Sequence, residues 1–262
     1  MDKKVSIVLP TCNGAKYIKE SIDSCLNQTH KNIELIIVDN GSADDTPKII
    51  AGYTDNRIKY VRENRRLGLA NALNKGFSLT SGEYLTWTSD DNYYTPNAIE
   101  SMLNFLNSHP EIAFVYSNFF YLDEQGNAIK PKGERTPQEL IKCNCVGPCF
   151  LYRREVYSNI GNYNPAVKLA EDYDYWLRIY KRFKVASIDD FLYYYRIHPD
   201  SLSGRYGRDK AKDYADRVRD KHFWEYKVKR RLSLLIKGIN DRSPQRIKRV
   251  ISRLFPQLLE DL

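Results

Sequence analysis

Two adjacent carboxylates, Asp90 and Asp91, follow an apolar run at residues 83–87 that is typical of a buried strand. Because neighbouring carboxylates repel each other, the pair needs a positively charged partner. Carboxylate oxygens are ligands for Mg²⁺ or Mn²⁺, and few protein ligands are needed when bound phosphates supply the others. The pair therefore predicts a divalent cation beside Asp91.

A second acidic pair, Glu171 and Asp172, lies at the start of a predicted helix that contains Trp176. The helix dipole stabilises a carboxylate in the first turn, so a purely structural role would explain the pair. Alternatively, Asp172 faces a substrate crevice and takes a proton from an acceptor hydroxyl, while a cation stabilises a departing diphosphate. The residues alone leave both interpretations open.

The elements that carry these residues follow an alternating pattern. Apolar runs at residues 4–9 and 33–38 flank a helical pattern at 17–26, which makes a β-α-β unit. The alternation predicts an α/β fold, in which helices cover both faces of a mostly parallel sheet. The further elements predicted up to residue 107 are helices near 44–54, 68–79 and 96–107 and strands near 57–61 and 83–87.

Polar segments follow three of these strands: PTCNG, DNGSADDT and SDDN. Ligands of open parallel sheets bind beyond the carboxyl ends of the strands, so we expect the three segments to line one crevice. No glycine-rich dinucleotide motif and no P-loop follows the first strand, so a nucleotide diphosphate would need a cation to neutralise its charge. Asp39, at the end of the second strand, would then be free to accept a hydrogen bond from a base.

The alternation fades after a predicted strand and turn at residues 111–129. A strand leading into a short helix is predicted before Gly161, and two helices are predicted after residue 208. The last of these, in residues 243–262, has an apolar stripe with basic residues between. It would suit packing on the body or a second subunit, an anionic membrane surface, or nucleic acid. The stripe consists of Ile247, Val250, Ile251, Leu254, Phe255, Leu258 and Leu259.

Charge divides the 262-residue chain into two parts. Residues 1–203 contain 24 Lys and Arg against 25 Asp and Glu, whereas residues 204–262 contain 17 against 8. We therefore predict a near-neutral domain at 1–203 and a basic helical extension at 204–262. No apolar run approaches the roughly 18 residues of a spanning helix, and the start does not resemble a signal peptide. The expected location is the cytoplasm, or the inner face of the membrane.

The five cysteines form an odd set without the paired spacing or nearby histidines of zinc sites. We interpret them as reduced thiols. The alternative is a metal site at Cys143, Cys145 and Cys149.

Several segments, in this order and spacing, resemble the family 2 nucleotide-sugar glycosyltransferases, which have the GT-A fold. The resemblance extends from about Val5 to Ser203 and implies a Rossmann-like, mostly parallel sheet. The segments are SIVLPTCNGAKYIKESIDSCLNQTHKNIELIIVDNGSADDT, ENRRLGLANALNKG, GEYLTWTSDDNYYTP, GPCFLYRREVYSNIGNYN, EDYDYWLRI and YYRIHPDSLS.

The resemblance also implies roles for individual residues. Asp39 would contact the base, usually uracil, and Asp90 would contact the sugar or ribose. Asp91 would bind the Mn²⁺ or Mg²⁺ that bridges the diphosphate. His198 matches a position that approaches the metal or the diphosphate in some relatives, and the alternative is a loop histidine with a structural hydrogen bond. Asp172 would be the base of an inverting transfer. The nucleotide site implied as a whole consists of Pro10, Thr11, Asn13, Asp39, Arg66 and Asp90.

Two positions depart from the family pattern. Asn92 stands where the acidic motif often has a second aspartate, so the positive charge of the metal must be balanced by Asp91 and the phosphates, and we expect weak metal binding without donor. Arg65 and Arg66 stand where relatives often have one small residue. One of these arginines would grip the diphosphate or would be a surface charge.

The function expected is a metal-dependent, inverting transfer of a sugar from a nucleotide diphosphate to a hydroxyl of a glycan or lipid-linked glycan, with UDP as the expected nucleotide. Glu171, Trp176 and Tyr152 are expected on the acceptor side, and nucleic acid is not expected as a partner. The alternatives are a nucleotidyltransferase and a non-catalytic module that binds sugar nucleotides or glycans. PTCNG is not the basic loop that the former needs, and the intact Glu171-Asp172 pair argues against the latter.

Overall fold

The first half of the chain forms four parallel strands separated by helices. The computed structural model describes residues 3–133 and 135–224. The sheet order in this half is β3-β2-β1-β4, and the ends of β1 and β2 are level, with Thr11 opposite Asp39. The polar loops therefore leave the sheet at the same edge. The elements are β1 (Val5–Thr11), α1 (Ile18–Leu26), β2 (Ile33–Asp39), α2 (Thr46–Ala51), β3 (Ile58–Arg62), α3 (Leu69–Phe77) and β4 (Tyr84–Trp87).

The second half extends the same sheet in the order β4-β8-β6-β9-β5, with β7 paired to β6. β8 runs antiparallel to both β4 and β6, whereas β9 runs parallel to β6. The elements are β5 (Tyr93–Tyr94), α4 (Ala98–Ser108), β6 (Ile112–Leu122), β7 (Ala128–Lys132), a 3₁₀ helix (Pro137–Ile141), β8 (Phe150–Arg153), α5 (Arg154–Ile160), α6 (Glu171–Tyr180), β9 (Lys184–Arg196), α7 (Leu202–Tyr206) and α8 (Arg208–His222).

Helices pack on both faces of the sheet, which confirms the predicted α/β class. Ile7 belongs to a core cluster that includes Ile22 of α1 and Met102 of α4. The next residue, Val8, points to the opposite face. There α3 lies so close that a Cβ on Gly76 would be 2.3 Å from a methyl carbon of Val8.

Strand β9 is the main element that the sequence did not predict. Its 13 residues include the exposed pair Asp189 and Asp190, which interrupts any regular alternation of apolar and polar side chains. The register between β6 and β9 shifts in the same region. Irregular pairing of this kind gives no period-two signal, although β9 delivers its last residues to the edge of the sheet where the acidic residues lie.

Two residues expected on the acceptor side lie in the core instead. Trp176 is 1% exposed, and its ring centroid is 4.5 Å from that of Phe150 and 5.0 Å from that of Phe114. Tyr152 is 0% exposed and stacks with the same two rings. Neither side chain reaches the surface, so the expectation that they contact an acceptor is corrected. The periodic apolar positions of α6 and β8 are the faces that pack in the core.

The chain divides into compact units at residues 1–219 and 220–262. The first unit extends beyond the predicted boundary at 203 because α8 packs on it: Val218 and Arg219 are buried, and Arg219 Nη1 donates to the carbonyl oxygen of Lys142 at 3.1 Å. The predicted amphipathic helix at 243–262 lies outside the described residues. No helix of the described part is long and apolar enough to cross a membrane.

Candidate active site

Asp90 connects the end of β4 with the loop after β1. Its Oδ2 accepts hydrogen bonds from Thr11 Oγ1 at 2.5 Å and from the backbone N–H of Cys12 at 3.3 Å. A Cβ on Gly14 would lie 2.3 Å from the same oxygen, so only glycine leaves room for this contact. Burial, reinforced by the charge of Asp91, raises the pKa of Asp90.

Asp91 and His198 come together at the same edge. His198 Nε2 is 3.0 Å from Asp91 Oδ2, although 107 positions separate the two residues along the chain. The other carboxylate oxygen, Asp91 Oδ1, is buried and has no hydrogen-bond partner among the described residues. The ring of Tyr17 packs edge-on against His198, with 5.1 Å between centroids. Asp91 therefore has one buried carboxylate oxygen that is left without a hydrogen-bond partner in the described part of the chain.

Asn92 has a structural partner in β9. Its Oδ1 accepts a hydrogen bond from the backbone N–H of Arg196 at 2.7 Å, and the residue is buried. This contact joins the acidic loop to the end of β9. The asparagine therefore holds the loop in place, and the negative charge needed by a cation is left to Asp91.

Arg196 is a member of this site that sequence analysis did not single out. Its buried guanidinium donates to the carbonyl oxygens of Asp91 at 3.3 Å and Glu124 at 3.1 Å, and pairs with Glu20 at 2.5 Å. It also lies 4.5 Å from the ring centroid of Tyr17. The only signal in the sequence was its position two residues before His198.

The loop after β2 is closed by Asp39, which is 0% exposed. Asp39 Oδ1 accepts from the backbone N–H of Ser42 at 2.8 Å, and Oδ2 accepts from the Tyr60 hydroxyl at 3.0 Å. Asn13 completes the loop: its Oδ1 accepts from the N–H of Ala43 at 2.8 Å, and its φ is +59°. Both polar side chains organise the predicted base site, and their contact with a base remains a prediction.

Arg66 lies beside Cys12, which is in the loop that follows β1. It is exposed, and its charge opposes the effect of burial, which raises the pKa of the nearby Cys12 thiol. The segment before it packs tightly on the β2 loop, since a Cβ on Gly41 would be 2.9 Å from the carbonyl carbon of Arg65. Pro10, opposite Val38 in the sheet, precedes the loop on the other side.

Asp172 belongs to the second acidic pair and lies in the first turn of α6. Its Oδ2 accepts a hydrogen bond from Asn144 Nδ2 at 2.8 Å, and Oδ1 accepts from the N–H of Tyr173 at 2.7 Å. Burial raises the pKa of Asp172, and the Asn144 bond opposes that rise. Leu169, just before the helix, has a φ of +59°, a conformation that costs a non-glycine residue about 1 kcal/mol or more. The turn that presents Asp172 is therefore strained.

Glu171, the other member of the acidic pair, is also buried. Burial and the adjacent charge of Asp172 raise its pKa to about 7. Its Oε2 has no hydrogen-bond partner among the described residues. The acceptor-side role predicted for Glu171 therefore remains compatible with its environment.

A polar and aromatic chain connects α6 to the strand that carries the first acidic pair. The rings of Tyr163 and Tyr175 stack with 4.0 Å between centroids. The Tyr163 hydroxyl accepts a hydrogen bond from Trp87 Nε1 at 3.0 Å, and Trp87 is the last residue of β4. Asn74 of α3 bonds both the N–H and the carbonyl of Tyr163. The elements that carry the two acidic pairs are thus connected through Tyr163.

The donor set at Asp91 fits a hard divalent cation that has few protein ligands. Within residues 3–133 and 135–224, no group of three or more Asp, Glu, His or Cys side chains is placed to bind a metal by itself. A single free carboxylate oxygen is sufficient only when a bound diphosphate supplies further oxygens. The residues therefore fit Mg²⁺ or Mn²⁺ brought together with a nucleotide diphosphate.

The sheet order, the acidic loop after β4 and the carboxylate that begins α6 define a GT-A type protein. In fold it is similar to the mannosyltransferase PcManGT of Pyrobaculum calidifontis, solved with GDP-Man and Mn²⁺, with a TM-score of 0.64 at 16% identity over 98% of this chain and 81% of that one. The model of glycosyl transferase family 2 matches residues 6–161, and the chain belongs to that family.

Two relatives illustrate the range of the family. An uncharacterized glycosyltransferase of Rickettsia conorii is 34% identical over 76% of this chain and 35% of its own length. The Escherichia coli protein WfaP, named as a UDP-Glc:α-D-GlcNAc-diphosphoundecaprenol β-1,3-glucosyltransferase, is 31% identical over 76% of this chain and 79% of its own. The chain spans less than two thirds of the length of the Rickettsia relatives it matches.

Proposed function

We propose that this chain is an inverting glycosyltransferase that moves a sugar from a nucleotide diphosphate to a hydroxyl of a glycan or lipid-linked glycan. Asp172 takes the proton of the acceptor hydroxyl, the acceptor oxygen bonds to the anomeric carbon, and the bond from that carbon to the diphosphate oxygen breaks. The nucleoside diphosphate leaves with the electron pair. The observation that carries the proposal is the Asp172 carboxylate, which Asn144 orients and whose pKa burial raises.

The donor side of the proposal depends on Asp91. Its free Oδ1, together with the phosphates of the donor, would hold Mn²⁺ or Mg²⁺, which supplies charge stabilisation to the departing diphosphate when bound. UDP is the proposed nucleotide, supported by the name of WfaP. That name also supports a lipid-linked sugar as acceptor, and thereby a role in polysaccharide synthesis.

A calorimetric screen of UDP-, GDP- and dTDP-sugars with Mn²⁺ tests the donor and the cation together. We expect binding of UDP-sugars that weakens when Mn²⁺ is removed, because the cation would offset the repulsion between the diphosphate and the carboxylates of Asp90 and Asp91. Slow release of UDP from the bound donor would indicate an enzyme, whereas a module that only binds the donor would leave it intact. Equal affinity with and without Mn²⁺ would contradict the metal assignment, and tighter binding of GDP-sugars would contradict the nucleotide.

We also propose that the basic segment at 204–262 brings the enzyme to an anionic membrane surface, where a lipid-linked acceptor would lie. The support is its charge, 17 Lys and Arg against 8 Asp and Glu. Co-sedimentation with liposomes should increase when anionic lipid is included and decrease at high salt. Equal recovery with neutral and anionic liposomes would remove the electrostatic attraction and favour packing on the body or on a second subunit.

A further inference from the structure

We propose that Asn144 is a positioning residue that acts on both sides of the transfer. Its amide nitrogen holds Asp172, and its carbonyl oxygen accepts a hydrogen bond from a second hydroxyl of the acceptor, next to the one that Asp172 deprotonates. This inference rests on the proposed role of Asp172 as the base. It narrows the acceptor of the proposed function to a neutral sugar with neighbouring hydroxyls, as opposed to a phosphate.

The orientation of the Asn144 amide follows from its partner. An ionised carboxylate only accepts hydrogen bonds, so the atom of Asn144 that lies 2.8 Å from Asp172 Oδ2 is the NH₂ group. The carbonyl oxygen Oδ1 therefore points away from that bond. Oδ1 is buried and has no partner among the described residues. A buried acceptor without a donor costs about 1–3 kcal/mol, and here it lies two bonds from the nitrogen that orients the base.

The neighbouring polar atoms select the kind of ligand that satisfies Oδ1. Glu171 Oε2 is likewise buried without a partner in the described part of the chain. Asp172 is bonded to Asn144 and interacts with the charge of Glu171, so hydrogen-bond acceptors predominate around this carboxylate. A sugar hydroxyl donates to such groups, whereas a phosphate brings further negative charge beside two carboxylates. The site therefore favours a neutral polyhydroxyl acceptor.

Three contacts hold the segment around Asn144. Arg219 donates to the Lys142 carbonyl oxygen at 3.1 Å, and the Tyr173 hydroxyl donates to the Leu140 carbonyl oxygen at 2.5 Å. Arg135 Nη1 lies 2.8 Å from Cys143 Sγ. With its neighbours anchored in this way, Asn144 is preorganised, which is what a residue that orients a base requires.

The test is the pH dependence of UDP release from UDP-glucose, the donor named for the E. coli relative, in Mn²⁺. Water replaces the acceptor: one O–H donates to Asp172, which takes its proton, and the other donates to Asn144. The water oxygen bonds to the anomeric carbon while the bond from that carbon to the diphosphate breaks, and UDP leaves with the electron pair. Asn144→Ala should lower kcat by about 10- to 100-fold, because the base loses its orientation, and should leave KM for UDP-glucose unchanged. The acidic limb should move to higher pH, since the lost bond opposes the raised pKa of Asp172. Among the described residues, the other titratable groups that interact with Asp172 are Glu171 and Tyr163, which the substitution retains.

Asn104→Ala, at an exposed position of α4, makes the same chemical change away from the site and should match the wild type. A wild-type profile for Asn144→Ala would overturn the inference while leaving the proposed function intact. Undiminished turnover of Asp172→Asn would instead overturn the base, and the inference with it. Farnesyl phosphate, as a phosphate acceptor, should not accelerate UDP release by the wild type, and acceleration would contradict the assigned acceptor class.

Discussion

Asp172→Asn is expected to lower sugar transfer by about 10²- to 10⁴-fold, the range typical of removing a general base. The substitution preserves the shape of the side chain, and an amide oxygen can still accept the hydrogen bond from Asn144 that Oδ2 now accepts at 2.8 Å. Binding of the nucleotide sugar should therefore change little. Calorimetry of donor binding together with single-turnover transfer measures both quantities.

The same base predicts a pH dependence. Burial raises the pKa of Asp172 above its ordinary value of 3.8, so its carboxylate is protonated and inactive at a pH where an exposed aspartate would still be ionised. Activity should consequently fall as pH decreases through this raised pKa, and the residual activity of Asp172→Asn should lack that limb. Asp213→Asn, an exposed position of α8, is the matched control and should keep the wild-type profile. An identical acidic limb in Asp172→Asn would assign the titration to another group.

Asp91→Ala is expected to abolish the increase in UDP affinity that Mn²⁺ produces, a loss of at least about 10-fold or 1.4 kcal/mol. The reason is that Asp91 Oδ1 is the buried carboxylate oxygen left without a partner at this edge of the sheet, while Asp90 Oδ2 is occupied by Thr11 and Cys12. The affinity for UDP measured without metal should be preserved. Removing Asp91 also removes one of the two causes that raise the pKa of Asp90, so Asp90 keeps its ionised form and its bonds to the β1 loop.

His198→Ala distinguishes the two roles open to the histidine. If His198 only orients Asp91 through the 3.0 Å contact, the Mn²⁺ effect should be reduced but retained, whereas a direct metal ligand would remove it as fully as Asp91→Ala. Asp200→Asn serves as the control, because its side chain is 79% exposed.

A full Mn²⁺ effect in Asp91→Ala would show that the cation binds elsewhere.

Sequence patterns were sufficient where the signal is local. The alternation of strands and helices up to residue 107 predicted the parallel half of the sheet, and the polar segments after β1, β2 and β4 were placed at one edge. The helix that begins at Glu171 was also predicted. In each case the pattern arises within a window of about 5–18 residues, because the sheet and helix periods are properties of neighbouring side chains.

Contacts between distant residues were not accessible in this way. Arg196 reaches Asn92 across 104 positions, and Asn144 reaches Asp172 across 28, without any motif that couples them. Trp176 was interpreted as an acceptor residue because its helix was known but its neighbours were not. Only the packing of α6 against β6 and β8 shows that the indole is in the core.

The sequence by itself therefore determined the class of sheet, the positions of the acidic pairs and, through the resemblance of its segments, the family. The tertiary structure alone decided what each acid is bonded to: Asp90 to Thr11, Asp91 to His198 and Asp172 to Asn144. The physical reason is that hydrogen bonds and burial depend on which segments meet in space. An isolated run of residues specifies its own periodicity, but the pKa of a carboxylate and its free oxygen depend on groups supplied by other strands and loops.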